Sequence, residues 1–216
     1  MVSAIGFGRC LRLTESSSAL WGGFAVYDRD ALVRLIREKA LKFGDFTLTS
    51  GKKSSYYLDA KQVTLHPEGA RLVGEGILEL MEQIGRPDAV GGMSVGADPI
   101  TAAVVTISAI KGKPVLGFMV RKEAKGHGTK RFIEGPVEPE QTAIIVEDVI
   151  TTGGSSLQAA ERAAEFGLKV VGIIGIIDRL EGGAEAFAAR GIPYRSLLTI
   201  RDLGIPMPSP EASQIS

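Results

Sequence analysis

The sequence predicts an α/β fold: a central, mostly parallel sheet flanked by helices, with a small amino-terminal hood. Three observations predict it. From Ala89 onward, short apolar runs alternate with segments of helical period. Two of those runs are almost wholly apolar, as strands are when helices cover both faces of a parallel sheet. The length of 216 residues suits one substantial α/β domain with its own core and is short for two.

Taken in order, Asp30 is placed to cap a first helix whose apolar positions are Leu32, Leu35, Ile36, Ala40 and Phe43, with Gly44 to end it. Residues 46–59 read as two short extended pieces around a polar turn, a hairpin-like flap within a hood at about 44–62. Pro67 suits the first turn of a second helix that runs through Leu72, Ile77, Leu80, Met81 and Ile84 to Gly85. Strands are expected at 89–92, 114–120, 142–146 and 170–177, with helices at 100–109 and 157–166 between them. A last large helix at 184–190 and a short edge strand at 194–198 follow. One domain is therefore expected over 26–204, with a mobile loop at about 121–135 and a flexible tail at 205–216 marked by Pro206, Pro208 and Pro210.

Charge and cysteine content exclude some function classes. Lys plus Arg (25) equals Asp plus Glu (25), so no global field draws the chain to nucleic acid or to an acidic membrane surface. No stretch approaches the apolar length that crosses a bilayer. The single Cys10 forms no internal disulfide and lacks metal-site spacing, which fits a reducing, cytoplasmic setting. Residues 1–25 carry Arg9, Arg12, the Ser16-Ser17-Ser18 run and Glu15 as their one acid, with no continuous apolar core of signal-peptide length. They fit a disordered extension, a start site placed too early, or a targeting segment.

The chemistry concentrates where Ala143-Ile144-Ile145-Val146 gives way to Glu147-Asp148-Val149-Ile150-Thr151-Thr152-Gly153-Gly154-Ser155. Two carboxylates at the end of a strand precede a hydroxyl and glycine loop that opens a helix. Successive N–H groups of such a loop, with the positive end of the helix, cradle an anion. The acids accept hydrogen bonds from vicinal sugar hydroxyls. No Lys follows Gly153-Gly154 and no G-x-G-x-x-G occurs there, so neither a Walker loop nor a dinucleotide fingerprint is present. The plainer alternative is a surface turn with incidental acids. A second dense signal is residues 121–131, with five cationic side chains, His127 and glycines that keep the segment supple. A flexible polycation of this kind serves as a lid over a phosphate site; the alternative is an ordinary solvated basic loop.

The first of these segments resembles the phosphoribosyl diphosphate (PRPP) signature of type I phosphoribosyltransferases. Arg121-Lys122-x-x-Lys125-x-His127-Gly128 is similar to the catalytic loop of the orotate phosphoribosyltransferase family. The pattern Phe46-x-Leu48-x-Ser50-Gly51-x-x-Ser54-x-Tyr56-Tyr57 is similar to that family's flap, and Asp178-Arg179 has its placement. The likeness spans about residues 28–204. It implies an enzyme that joins orotate to the ribose of PRPP, giving orotidine 5-monophosphate and diphosphate. Lys125, His127 and Asp148 are the catalytic residues implied. PRPP contacts would come from Arg121, Lys122, Lys125, His127, Glu147, Asp148, Val149, Ile150, Thr151, Thr152, Gly153, Gly154 and Ser155. Orotate contacts would come from Thr151 and Arg179, the latter as a bidentate clamp on the carboxylate; a structural ion pair with Glu181 is its other reading. Mg2+ is the cofactor implied, held through PRPP and water with no direct protein ligand. A homodimer with shared active sites is the assembly implied. Thr49 stands where many members carry a flap Lys, and Lys52 and Lys53 are the candidates for part of that role. The loop at 92–99 fits a pyrophosphate-binding variant or a plain turn. A transferase for another base and a non-catalytic PRPP-binding regulator are the competing readings.

Overall fold

The structure, a computed structural model, describes residues 27–47, 53–123 and 132–205. The expectations for residues 1–25, for the tail beyond Ile205, for the flap tip with Thr49 and Lys52, and for Lys125 and His127 lie outside the described residues.

Helix α1 (Arg29–Lys39) buries Leu32, Leu35 and Ile36 on one stripe. Its cap is Asp28, whose carboxylate accepts the Ala31 N–H at 2.9 Å, and Asp30 lies inside the first turn. The helix also ends earlier than its apolar period suggests. Phe43 and Gly44 belong to strand β1 (Leu41–Thr47), where Phe43 is 68% exposed. Pairing with the next strand captures this stretch, and the register slips between Phe43 and Phe46 as a bulge. The partner is β2 (Lys53–Leu58), antiparallel to β1, which makes the hood a two-stranded hairpin as expected. A four-residue helix that the sequence does not announce, α2 (Lys61–Thr64), follows at once.

Helix α3 (Pro67–Ile84) starts at a proline preceded by extended His66 and stops at Gly85, whose φ of 111° lets its N–H reach back to the Met81 carbonyl. From here strands and helices alternate: β3 (Ala89–Met93), α4 (Asp98–Ile110), β4 (Leu116–Val120), β5 (Ile133–Glu134), β6 (Thr142–Ile150), α5 (Gly154–Phe166), β7 (Lys169–Asp178), α6 (Gly183–Ala188) and β8 (Tyr194–Thr199). The six-stranded sheet has the order β5-β4-β3-β6-β7-β8, and only the short β5 runs antiparallel to its neighbour. The expected α/β class and mostly parallel sheet are therefore present. Leu32, Leu72, Ile100, Ile144 and Val146 pack on one face of the sheet, with Ile145, Ile173, Ala159, Ala163 and Phe187 on the other. Alternate residues of β6 feed the two layers, which is why its text is apolar without a break.

Leaving the β5 edge aside, the chain winds outward from β3 in one direction to β4 and in the other through β6, β7 and β8. The winding reverses between β3 and β6. At such a reversal the loops beyond the carboxyl ends of the two central strands part and leave a crevice.

Candidate active site

The crevice is where the acidic doublet stands. Strand β6 continues to Ile150, past the end expected at 146, so Glu147 and Asp148 are the last part of the strand rather than the start of its loop. Pairing of Glu147 with Gly175 and of Val149 with Ile177 on β7 carries the ladder through them. The pleat starts the two side chains on opposite faces, but their carboxylates come back within reach of each other at the strand end. Glu147 lies with α5, its Oε2 3.4 Å from the Ser156 hydroxyl, and is only 7% exposed. Asp148 lies with α2: Oδ2 meets the Lys61 ammonium at 3.2 Å, and Oδ1 accepts the Val149 N–H at 2.9 Å. Burial, and secondarily the charge of Asp148, pushes the Glu147 carboxyl up to about 7, against the opposing pull of the Ser155 hydroxyl.

The β3–α4 loop closes over both acids. A side-chain carbon built at Gly96 would sit 3.1 Å from an oxygen of Glu147 and 3.1 Å from one of Asp148. The Ser94 hydroxyl donates to Asp98 at 2.9 Å, and the Ser94 N–H bonds the Val120 carbonyl, so the loop is pinned at both sides. This goes beyond a plain turn: residues 94–97 form one wall of the acidic pocket.

The other wall is the turn from β6 into α5. Gly153 caps that helix with φ 81°, and a side chain there would strike the Phe187 ring at 2.6 Å. Gly154 faces open space, with nothing within 4 Å of the missing side chain. Helix α5 begins at this open position with no side chain capping its first N–H groups, which suits an anionic group. Ile150 is 1% exposed and its carbonyl accepts the Arg179 N–H, so its side chain serves the core and its backbone ties β6 to the end of β7.

Arg179 comes from the end of β7. Its guanidinium pairs with Glu181 at 2.8 Å, lies 5.0 Å from the centre of the Tyr56 ring on the hood, and keeps a buried Nε–H without a hydrogen-bond partner. The ion pair is present, with one terminal nitrogen on Glu181, and the buried Nε–H is left over as a donor. The hood's aromatic strand is in this way brought over the β7 end of the crevice.

Arg121 and Lys122 leave β4 on the opposite side. The Arg121 side chain reaches Glu134 at 3.5 Å and the Glu123 carbonyl at 3.3 Å. A residue that pattern reading missed, Arg162 of α5, donates to the Arg121 carbonyl and to the Lys122 carbonyl at 3.1 Å while its guanidinium covers the Phe132 ring at 4.2 Å. It fastens the departing and returning ends of the basic segment to the helix. Lys61 was missed as well, because a four-residue helix has no period to detect. Of the two candidate substitutes for a flap lysine, Lys53 bonds the Thr47 hydroxyl at 3.1 Å across the hairpin. Among the described residues, no group of three or more His, Cys, Asp or Glu side chains is placed to hold a metal ion.

A mostly parallel sheet reversed at this crevice, with a hood over its carboxyl edge, defines a type I phosphoribosyltransferase fold. No protein-family model matches the chain. It is 52% identical over 183 residues to the orotate phosphoribosyltransferase of Rhodopirellula baltica, a match covering 82% of this chain and 95% of that protein. Among solved structures, Mycobacterium tuberculosis H37Rv orotate phosphoribosyltransferase in complex with Fe(III) dicitrate superposes with a TM-score of 0.75 at 40% identity, over 82% of this chain and 99% of that one. The same enzyme in complex with PRPP gives 0.70 at 36%, over 82% and 99%. The chain belongs to the orotate phosphoribosyltransferase family, and is by that membership a pentosyltransferase.

Proposed function

We propose that the chain transfers ribose 5-phosphate from PRPP to orotate, forming orotidine 5-monophosphate and diphosphate in de novo pyrimidine synthesis. A ring nitrogen of orotate attacks ribose C1 as the C1–oxygen bond to diphosphate breaks; the bonding electrons leave with the diphosphate, and the nitrogen's proton passes to solvent. Positive charge builds on the ribose ring in such glycosyl transfers. Glu147 and Asp148 accept the ribose hydroxyls and oppose that charge electrostatically. Residues 151–155 hold the 5-phosphate on the first N–H groups of α5, with Val149 and Ile150 setting the backbone that leads into them, and the Thr151 hydroxyl stands beside orotate. Arg121, Lys122, Lys125 and His127 neutralise the diphosphate, with Lys125 carrying the largest share of the rate. Arg179 clamps the orotate carboxylate under Tyr56.

Mg2+ suits this donor set as an ion that arrives on PRPP and water, since hard oxygens of the substrate outnumber what the acidic pair offers, and it would supply positive charge to offset the diphosphate. We further propose that residues 26–204 form one catalytic domain acting in the cytoplasm as a homodimer with shared sites, without nucleic acid or membrane partners. No helix among the described residues is long and apolar enough to cross a membrane.

The observation that carries orotate as the acceptor is the buried, unpaired Arg179 Nε–H beneath the hood aromatic ring. A carboxylate meets it with a charge-assisted bond, whereas a neutral purine offers only uncharged acceptors. The test is spectrophotometric: orotate is consumed with PRPP and Mg2+, and uracil, adenine and hypoxanthine are not. Turnover of a purine in place of orotate refutes the assignment.

A further inference from the structure

We propose that Lys61 is the hood-side cation of the PRPP site, paired with Asp148 and turning to the donor's anionic oxygens when the ribose hydroxyls take that carboxylate. This rests on the PRPP-dependent reading above and adds a residue to it.

The pairing joins positions far apart in the chain. Lys61 Nζ lies 3.2 Å from Asp148 Oδ2, across 87 residues of sequence. Asp148 Oδ1 accepts the Val149 N–H, and Oδ2, which has no backbone donor, is the oxygen Lys61 meets. The charge of Asp148 is also what chiefly raises the Lys61 pKa.

The lysine is rooted firmly and free at its tip. Its own N–H is held by Asp59 Oδ1 at 3.2 Å, while Gln62 bonds the other Asp59 oxygen at 3.1 Å. Ala60 and Val63 on either side are buried at 3% and 1%, and α3 presses so closely on α2 that a side chain at Gly69 would meet the Val63 carbonyl at 2.1 Å. The side chain itself is 47% exposed. A fixed backbone with a flexible, solvent-facing ammonium is suited to exchanging one anionic partner for another.

Charge balance points the same way. A pocket lined by two acids repels a polyanionic donor unless cations stand close to the acids. The hood lacks a lysine at Thr49, and Lys53 faces Thr47 across the hairpin. Lys61, just after the second hood strand, delivers the charge to the doublet itself.

The experiment compares Lys61→Met, which keeps length without charge, with Lys61→Arg and the parent chain. PRPP affinity is measured by titration calorimetry in Mg2+, followed by KM for each substrate, kcat and the melting temperature. Loss of one charge-assisted contact should weaken PRPP binding and raise its KM by about tenfold or more in Lys61→Met. The orotate KM should stay within about twofold, and Lys61→Arg should recover most of the loss, because restoring the charge is what the contact requires. Melting should hardly change, since a half-exposed pair contributes little to stability. Unchanged PRPP affinity in Lys61→Met overturns the proposal. So does tighter binding, which would make Lys61 a mere plug on Asp148, and so does a melting loss with no change in PRPP KM. The PRPP titration needs no acceptor base: a parent chain that binds PRPP but ignores orotate sinks the acceptor assignment alone, while one that binds no PRPP sinks both.

Discussion

Glu147 and Asp148 leave the strand on opposite faces, yet their carboxylates meet at Gly96 and act on each other, so they share one pocket with different outer partners. One is buried against α5 and the other is matched by Lys61. The consequence for Glu147 is a carboxyl pushed up to about 7 from 4.5, by burial first and by the Asp148 charge second. Since the folded value lies above the unfolded one, the neutral form favours the folded state. That contribution is complete below about 4.5 and is lost as pH rises through about 7. Glu147→Gln keeps the shape and cannot ionise. In the empty enzyme it should therefore gain on the parent by roughly 1–3 kcal/mol between pH 5 and pH 8.5, read as the change in the stability gap from urea unfolding at each pH. Catalysis should fall by about tenfold or more, as the negative charge facing the ribose is gone. A stability gap identical at both pH values would show that no raised ionisation resides at this carboxyl.

At the scale of elements, the turn between β6 and α5 holds two glycines for different reasons. Gly153 needs its positive φ and its closeness to Phe187; Gly154 needs neither. Gly153→Ala should destabilise the fold by about 2 kcal/mol or more, combining left-handed strain with the clash. Gly154→Ala should melt with the parent and lose PRPP affinity, because its methyl group would fill the room in front of the helix N-terminus. Equal melting losses in the two variants would refute this division. The elements themselves were legible where a period or a stop signal is local. The apolar period of α3 between Pro67 and Gly85 and the unbroken apolar runs of β6 and β7 were read within a residue or a few. The errors lie where tertiary pairing overrides the local pattern. Phe43 continues the helical period of α1 yet is drawn into the hood hairpin, and β6, whose apolar run stops at Val146, is carried on to Ile150 by pairing with β7. Lys61 and Arg162 were illegible for a different reason: each acts through a contact with a distant segment, and nothing in the surrounding residues records it.

At the scale of the whole molecule, the reversal between β3 and β6 gathers three segments on one crevice: the glycine wall at 94–97, the acidic doublet, and the hydroxyl-glycine turn. The hood adds Tyr56 and Lys61 from its own side. The basic segment leaves β4 at Arg121 and is fastened at its base by Arg162, on the flank away from Arg179. If the enzyme is a dimer that lends this segment to its neighbour's crevice, the cationic and acidic halves of one working site come from different chains. Each chain then carries one half of two sites. Lys125→Ala removes the cation, Asp148→Asn removes the acid, and each variant alone should be nearly inactive. When the two are mixed, unfolded together and refolded, half of the chains that pair at random form mixed dimers. Each mixed dimer has one site with both defects and one with neither, so activity should return to about a quarter of the parent's under that sharing geometry. Sites built within one chain contain one defect each in every pairing, and no activity returns. Mixed dimers verified by mass spectrometry and found inactive would therefore exclude the exchange of segments between subunits.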